Sequence, residues 1–143
     1  MRFLALYNLT PLSLSREEEY INNHKKNNML SKDLPIMRET KRLRNMVVGY
    51  TAMYPKRFKF VFGERMMNIV LDMGRNIRRA NRALDPQQRY RHIEEVLILV
   101  EDMEDLVDAS FEHKVLSVKQ VANLSALMVS IGRQATGWKA GFR

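Results

Sequence analysis

From Pro35 onward, apolar side chains recur at steps of three and four residues, the spacing of helices that bury one face. Ile36, Thr40, Leu43, Val47, Tyr50 and Tyr54 make a first stripe, with Thr40 filling the gap between apolar positions. Pro35 suits a first helical turn, with Asp33 as a nearby cap, and Pro55 ends the helix because the residue before a proline is driven out of the α region. A second stripe, Met66, Val70, Met73, Ile77, Ala80 and Leu84, predicts a helix from about Gly63 to Ala83. The basic and aromatic segment between them, Pro55–Phe62, reads as a loop and as the longest connection in the chain.

Asp85-Pro86 closes the second helix and opens the third, with Asp85 at the N-cap, Pro86 at N1 and Gln88 placed to complete a capping box. Tyr90, Ile93, Leu97, Val100, Val107 and Phe111 form the third stripe, to Glu112. Val96, Leu99, Met103 and Leu106 widen it enough to face two neighbours. The fourth helix has the clearest start: Ser117 and Gln120 match a capping box, and Leu116 and Val121 match a hydrophobic staple. Its stripe is Val121, Leu124, Met128, Ile131, Ala135 and Trp138, ended by Gly141. Four long helices on short connections predict an all-α, up-down-up-down four-helix bundle over residues 35–143. Residues 1–34, with the polar run Asn22–Asn28, lack a sustained period. They read as a poorly ordered leader with one short helix around Arg16–Asn23, and Met29 is an alternative start.

Composition narrows the function. The 143 residues contain no cysteine, which excludes a disulfide scaffold, a thiol nucleophile and a cysteine-ligated metal. The three histidines, His24, His92 and His113, lack metal-ligand spacing, and His92 reads as a surface residue. No phosphate-binding glycine loop or nucleophile-elbow motif is present, so no enzyme, metal or cofactor is expected. The ten methionines read as adaptable core packing. The N-terminal apolar run is too short and too interrupted for a signal peptide, and no uncharged run reaches transmembrane length, which predicts a cytoplasmic protein with no membrane partner.

The net charge of +8 is unevenly distributed. Residues 35–63 carry seven basic and one acidic side chain, and residues 64–84 carry five and two. Residues 85–116 reverse this with three and nine, and residues 117–143 carry four and none. Such a surplus points to an anionic partner. The second helix carries Arg75, Arg78, Arg79 and Arg82, of which Arg75, Arg78 (or Arg79) and Arg82 align at steps of three and four, opposite or flanking the apolar stripe, and a guanidinium fork suits phosphate or carboxylate. Lys56, Arg57 and Lys59 alternate with Phe58 and Phe60, which would add phosphate contacts and base stacking, although Phe60 also suits a cap on the bundle end. With Arg65 and Arg133 these are the candidate nucleic-acid-binding residues. On the third helix, Glu101, Asp105, Asp108 and Glu112 share one face, either solvated or docked on a basic surface of a second copy or another protein.

Two segments carry a family resemblance. Tyr54–Met66, YPKRFKFVFGERM, and Ser130–Ala140, SIGRQATGWKA, resemble the accessory variability determinant (Avd) proteins of diversity-generating retroelements. The wider group includes bundle proteins encoded in ribosomal-RNA intervening sequences, whose Asn-Ile-Ala-Glu-Gly motif is replaced here by Asn76-Ile77-Arg78-Arg79-Ala80. The resemblance, over about residues 35–140, implies a ring-like homopentamer that binds a reverse transcriptase and RNA or cDNA. It implies support of cDNA synthesis from template-repeat RNA, with catalysis left to the reverse transcriptase. The other reading is a stand-alone structural or interaction protein of the same bundle group. Gly132 and Gly137 each cost a helix about 1 kcal/mol, so a close helix or subunit approach is expected there.

Overall fold

A computed structural model describes residues 30–141. The expected leader helix around Arg16–Asn23 lies outside the described residues. The chain divides into Met1–Leu30 and Ser31–Arg143, and the bundle lies within the second unit. Its main helices are α1 (Pro35–Thr51), α2 (Glu64–Arg82), α3 (Pro86–Glu112) and α4 (Val118–Ala140). Helix α1 packs on α2 and α4, and α3 packs on the same two; the backbones of the diagonal pairs do not approach closely among the described residues.

Side-chain bonds fix the directions. The start of α1 meets the end of α4 through Gln134 to Glu39, and its end meets the start of α4 through Asn123 to the Tyr50 hydroxyl. The end of α2 meets the start of α3 through Asn76 and His92, and the start of α2 meets the end of α3 through Ser110 and Met66. Neighbours are antiparallel, as an up-down-up-down order requires.

The predicted stripes supply the core. Leu43, Val47, Met66, Met73, Ile77, Met103, Leu124 and Ile131 are fully buried. Three expected details differ. Asp33 does not cap α1: it lies in a 3₁₀ turn, Ser31–Asp33, and Leu34 is the N-cap without a side-chain bond. Asp85 caps α3 by accepting from the Gln87 N–H at 3.0 Å, one residue before the expected Gln88, so the cap is an Asx-type bond without the reciprocal box. Phe111, assigned to the α3 stripe, is 44% exposed, although Ser110 beside it is fully buried. Ser117 and Gln120 do form the capping box, at 3.1 and 2.9 Å.

The segment expected to be a loop is helical. Lys56–Phe58 form an α turn and Lys59–Gly63 a π turn that runs directly into α2, with the Glu64 N–H reaching back to Lys59 O. The stretch from α1 to α2 remains the longest between main helices, as expected, but only Ala52–Pro55 of it is non-helical, one residue shorter than the turn His113–Ser117 between α3 and α4. Pro55 stops one helix and starts the next, since a proline fits a helix N-terminus as well as it breaks an interior. Gly63 is tightly enclosed at this join: a Cβ there would stand 3.2 Å from Thr51 Cβ, so a side chain would press on α1. By contrast, a Cβ at Gly132 or Gly137 would meet nothing within 4 Å, so the close helix approach expected at those residues is not made among the described residues.

The glycines therefore separate. Gly132→Ala should raise stability in a denaturant titration by about 1 kcal/mol, the helix-propensity difference. Gly63→Val should lower it by about 1–3 kcal/mol, the usual effect of overpacking. A second expectation concerns Tyr54, whose hydroxyl donates to Met66 Sδ at 3.7 Å. Burial pushes this phenol above its ordinary value of 10.0, partly offset by a hydrogen bond with Ser110. The buried ring is stable as the neutral form, so its contribution is complete below about pH 10 and is lost as pH rises through the raised folded-state value. Stability above pH 10 should fall less steeply in Tyr54→Phe than in the wild type.

Candidate functional site

Helices α1 and α2 lie side by side with their outer flanks forming a groove. Lys41, Arg44 and Val48 step along α1 immediately beside the core positions Thr40, Leu43 and Val47. Leu71, Arg75 and Arg78 occupy the facing flank of α2. The upper part is a cleft of about 250 Å³ lined by Lys41, Arg44, Arg75 and Arg78, with no carboxylate in its wall. Gly74 and Met37 form the floor, and the Arg78 guanidinium folds over Gly74.

The lower part of the groove is a wider, mainly apolar pocket of about 560 Å³ between Val48, Ala52, Phe60 and Met67, rimmed by Lys56, Lys59 and Glu64. Val48 is 50% exposed and Phe60 64%. Phe60 therefore does not cap the bundle end. Phe58 does: its ring stacks on Phe62 with centroids 5.5 Å apart, and both rings lean on His113. Arg57 lies 4.5 Å over the Phe58 ring. With Phe58 half-buried under that contact, the exposed aromatic face of the segment is Phe60.

The nine sequence-derived candidates do not form one site. Arg75 and Arg78 share the basic cleft, and Lys56 and Lys59 rim the pocket that continues it. Arg82 is exposed one turn beyond Arg78 on the same flank. Arg79 lies about 100° round α2 from Arg78, on the side where Asn76 meets α3. Arg65 is exposed on that same side of the first α2 turn, and Arg133 is exposed on α4, which does not touch α2. Lys41 and Arg44 complete the cleft and were not among the candidates. Their signal was present: each directly follows a core position, as Arg78 follows Ile77. His92 is half-buried, with Nδ1 3.2 Å from Asn76 Oδ1, and is not the surface residue expected. Its spacing placed it on the α3 flank that packs against α2.

Two ion pairs occur among the described residues. Arg75 meets Asp72 at 3.3 Å with both side chains about half exposed, and Lys139 meets Glu94 between α4 and α3. The first is a solvated pair of little energetic weight, so it leaves Arg75 available. Among the described residues, Lys41, Arg44 and Arg78 have no acidic ion-pair partner, and Glu101, Asp105, Asp108 and Glu112 on the outer face of α3 have no basic one. Positive and negative surfaces coexist without neutralising each other. Among the described residues, no group of three or more His, Asp or Glu is placed to hold a metal ion. No helix among them is long and apolar enough to cross a membrane. No family model matches the chain, and no curated protein or solved structure matches it.

Proposed function

We propose that this protein binds the sugar-phosphate backbone of single-stranded RNA or cDNA in the α1–α2 cleft and performs no catalysis of its own. The observation that carries this reading is a cleft lined by Lys41, Arg44, Arg75 and Arg78 with no carboxylate in its wall. Three guanidinium forks and one ammonium on facing helices offer bidentate and point contacts to successive phosphates. Phe60, exposed at the lower end, offers a stacking surface for a base. The two segments that resemble the Avd family, Tyr54–Met66 and Ser130–Ala140, support a fuller reading. On it the protein is a cytoplasmic accessory of a diversity-generating reverse transcriptase, assembles as a ring-like homopentamer, and supports cDNA synthesis from template-repeat RNA. A second reading, a bundle protein that only docks other proteins, draws on the apolar pocket at Val48, Ala52, Phe60 and Met67.

Fluorescence anisotropy with labelled single-stranded RNA and DNA separates the two. Four phosphate contacts predict affinity that falls about 50-fold between 50 and 200 mM salt, from a slope of about −0.7 per contact. The variant Lys41→Glu, Arg44→Glu, Arg75→Glu, Arg78→Glu should lose binding at every salt concentration. Arg79→Glu with Arg133→Glu should weaken it far less. Salt-independent binding, or full binding by the fourfold variant, would refute the cleft as the nucleic-acid site.

A further inference from the structure

The pocket below the cation cleft carries polar groups that a phosphate track does not need. Glu64 and Asn68 line it together with Phe60. A carboxylate beside a row of phosphates repels them, and the upper cleft has none. An acidic residue in the first turn of a helix ordinarily faces the unpaired N–H groups of the helix start. Glu64 has no such start to face. The Lys56–Phe58 turn and the π turn run into α2 without a break, and the Glu64 N–H is bonded to Lys59 O. Its carboxylate also makes no ion pair among the described residues, although Lys56 and Lys59 line the same pocket. Asn68 lies one turn further along the same flank of α2, and its side chain makes no hydrogen bond among the described residues.

These groups match the edge of one base. Phe60 is 64% exposed and gives the pocket an aromatic wall, so a base lying on it turns its edge toward Glu64 and Asn68. A carboxylate only accepts, through two oxygens side by side. Guanine alone sets two donors next to each other, N1–H and the 2-amino group. Adenine and cytosine offer one amino group flanked by a ring-nitrogen acceptor. Uracil and thymine offer one N–H between two carbonyl oxygens. Each of these three patterns brings an acceptor against a carboxylate oxygen. The pocket also supplies donors for guanine's O6 and N7, in the Asn68 amide and the Lys59 ammonium. Its volume of about 560 Å³ admits a bicyclic base. Along α1, the midpoint of Val48 and Ala52 lies about 11 Å from that of Lys41 and Arg44, so one base can enter while neighbouring phosphates stay on the cations.

We infer that the pocket selects guanine in the bound single strand, with Phe60 on the face of the base and the Glu64 carboxylate accepting from N1–H and the 2-amino group. The strand rests on the reading of the cleft as a phosphate site; the choice of base does not. The cleft then supplies affinity for any sequence, and the pocket sets where along the strand the protein settles.

Fluorescence anisotropy on the full chain, with labelled oligouridine carrying one central guanine, adenine or cytosine, tests the choice of base. The guanine strand should bind about tenfold more tightly than the others, the discrimination of one good bidentate pair. Inosine at that position keeps N1–H, O6 and N7 but lacks the 2-amino group, and should lose most of the preference. Glu64→Gln should remove it, and Phe60→Ala should weaken the guanine strand about tenfold, within the range of one lost stack. Equal affinity for all strands, inosine binding as guanine does, or a preference that survives Glu64→Gln would overturn the base assignment. Nuclear magnetic resonance titrations with the four nucleoside monophosphates separate this from the cleft, and guanosine monophosphate should bind tightest of the four. Guanosine monophosphate binding as tightly as the guanine strand would assign the pocket to a free nucleotide and overturn the strand. Strands that fail to bind at low salt, beside selective binding of guanosine monophosphate, would refute the phosphate reading and leave the guanine pocket standing.

Discussion

Everything on this protein's surface is placed by the closure of four antiparallel stripes around one axis. Each helix gives one apolar stripe to that axis, and residues such as Leu43, Ile77, Met103 and Ile131 are sealed there completely. Because the stripe must point inward, the rotation of each helix is fixed, and with it the side of every charged residue. The polar bonds at both ends refine this arrangement. Met66 Sδ accepts from Tyr54 and Ser110 where α1, α2 and α3 converge. At the other end, Arg89 donates to Ala80 O and lies over Trp138, tying α2, α3 and α4 together. Five of the ten methionines, Met37, Met66, Met73, Met103 and Met128, fill this core, where an unbranched side chain adapts to uneven gaps.

The fixed rotation turns a charge count into a charge pattern. Lys41 and Arg44 follow core positions on α1, and Arg78 follows one on α2, so antiparallel packing brings all three to a common groove with Arg75. The acidic residues of α3 sit at the far corner, beyond pairing distance of that groove. A bundle with its charges neutralised internally would have little reach for an anionic or cationic partner. This one keeps both signs exposed and separated, which favours intermolecular over intramolecular pairing. The lower groove adds exposed Val48 and Phe60, and an apolar patch beside cations gives orientation to a contact that charge alone would leave loose.

Much of this was legible in the chain. The α2 stripe from Met66 to Ala80 is buried as its spacing required, and the Ser117–Gln120 box is formed. Local chemistry decided these features, so local reading found them. The failures share a different cause. PKRFKFVF looked like a loop because its cations and aromatics show no α period, yet a π turn has its own period and depends on Gly63 fitting beneath Thr51. Phe58 and Phe60 alternate with the same cations in sequence, and only the folded chain half-buries Phe58 against Phe62 and His113 and leaves Phe60 exposed. Lys41 and Arg44 were overlooked because a basic residue on α1 gains meaning only when α2 lies next to it.

By itself, the sequence determined that the chain forms four helices, which face of each is buried, and that cations and carboxylates occupy different helices. Those outcomes follow from spacing along one chain, where 3.6 residues per turn converts order into direction. The tertiary structure alone decided which charged faces become neighbours. Arg75 and Arg78 meet Lys41 and Arg44 rather than Arg133, and the acidic face of α3 is left without a partner inside the bundle. Adjacency between helices is set by how the stripes pack around the axis, and no residue spacing within a single helix contains it.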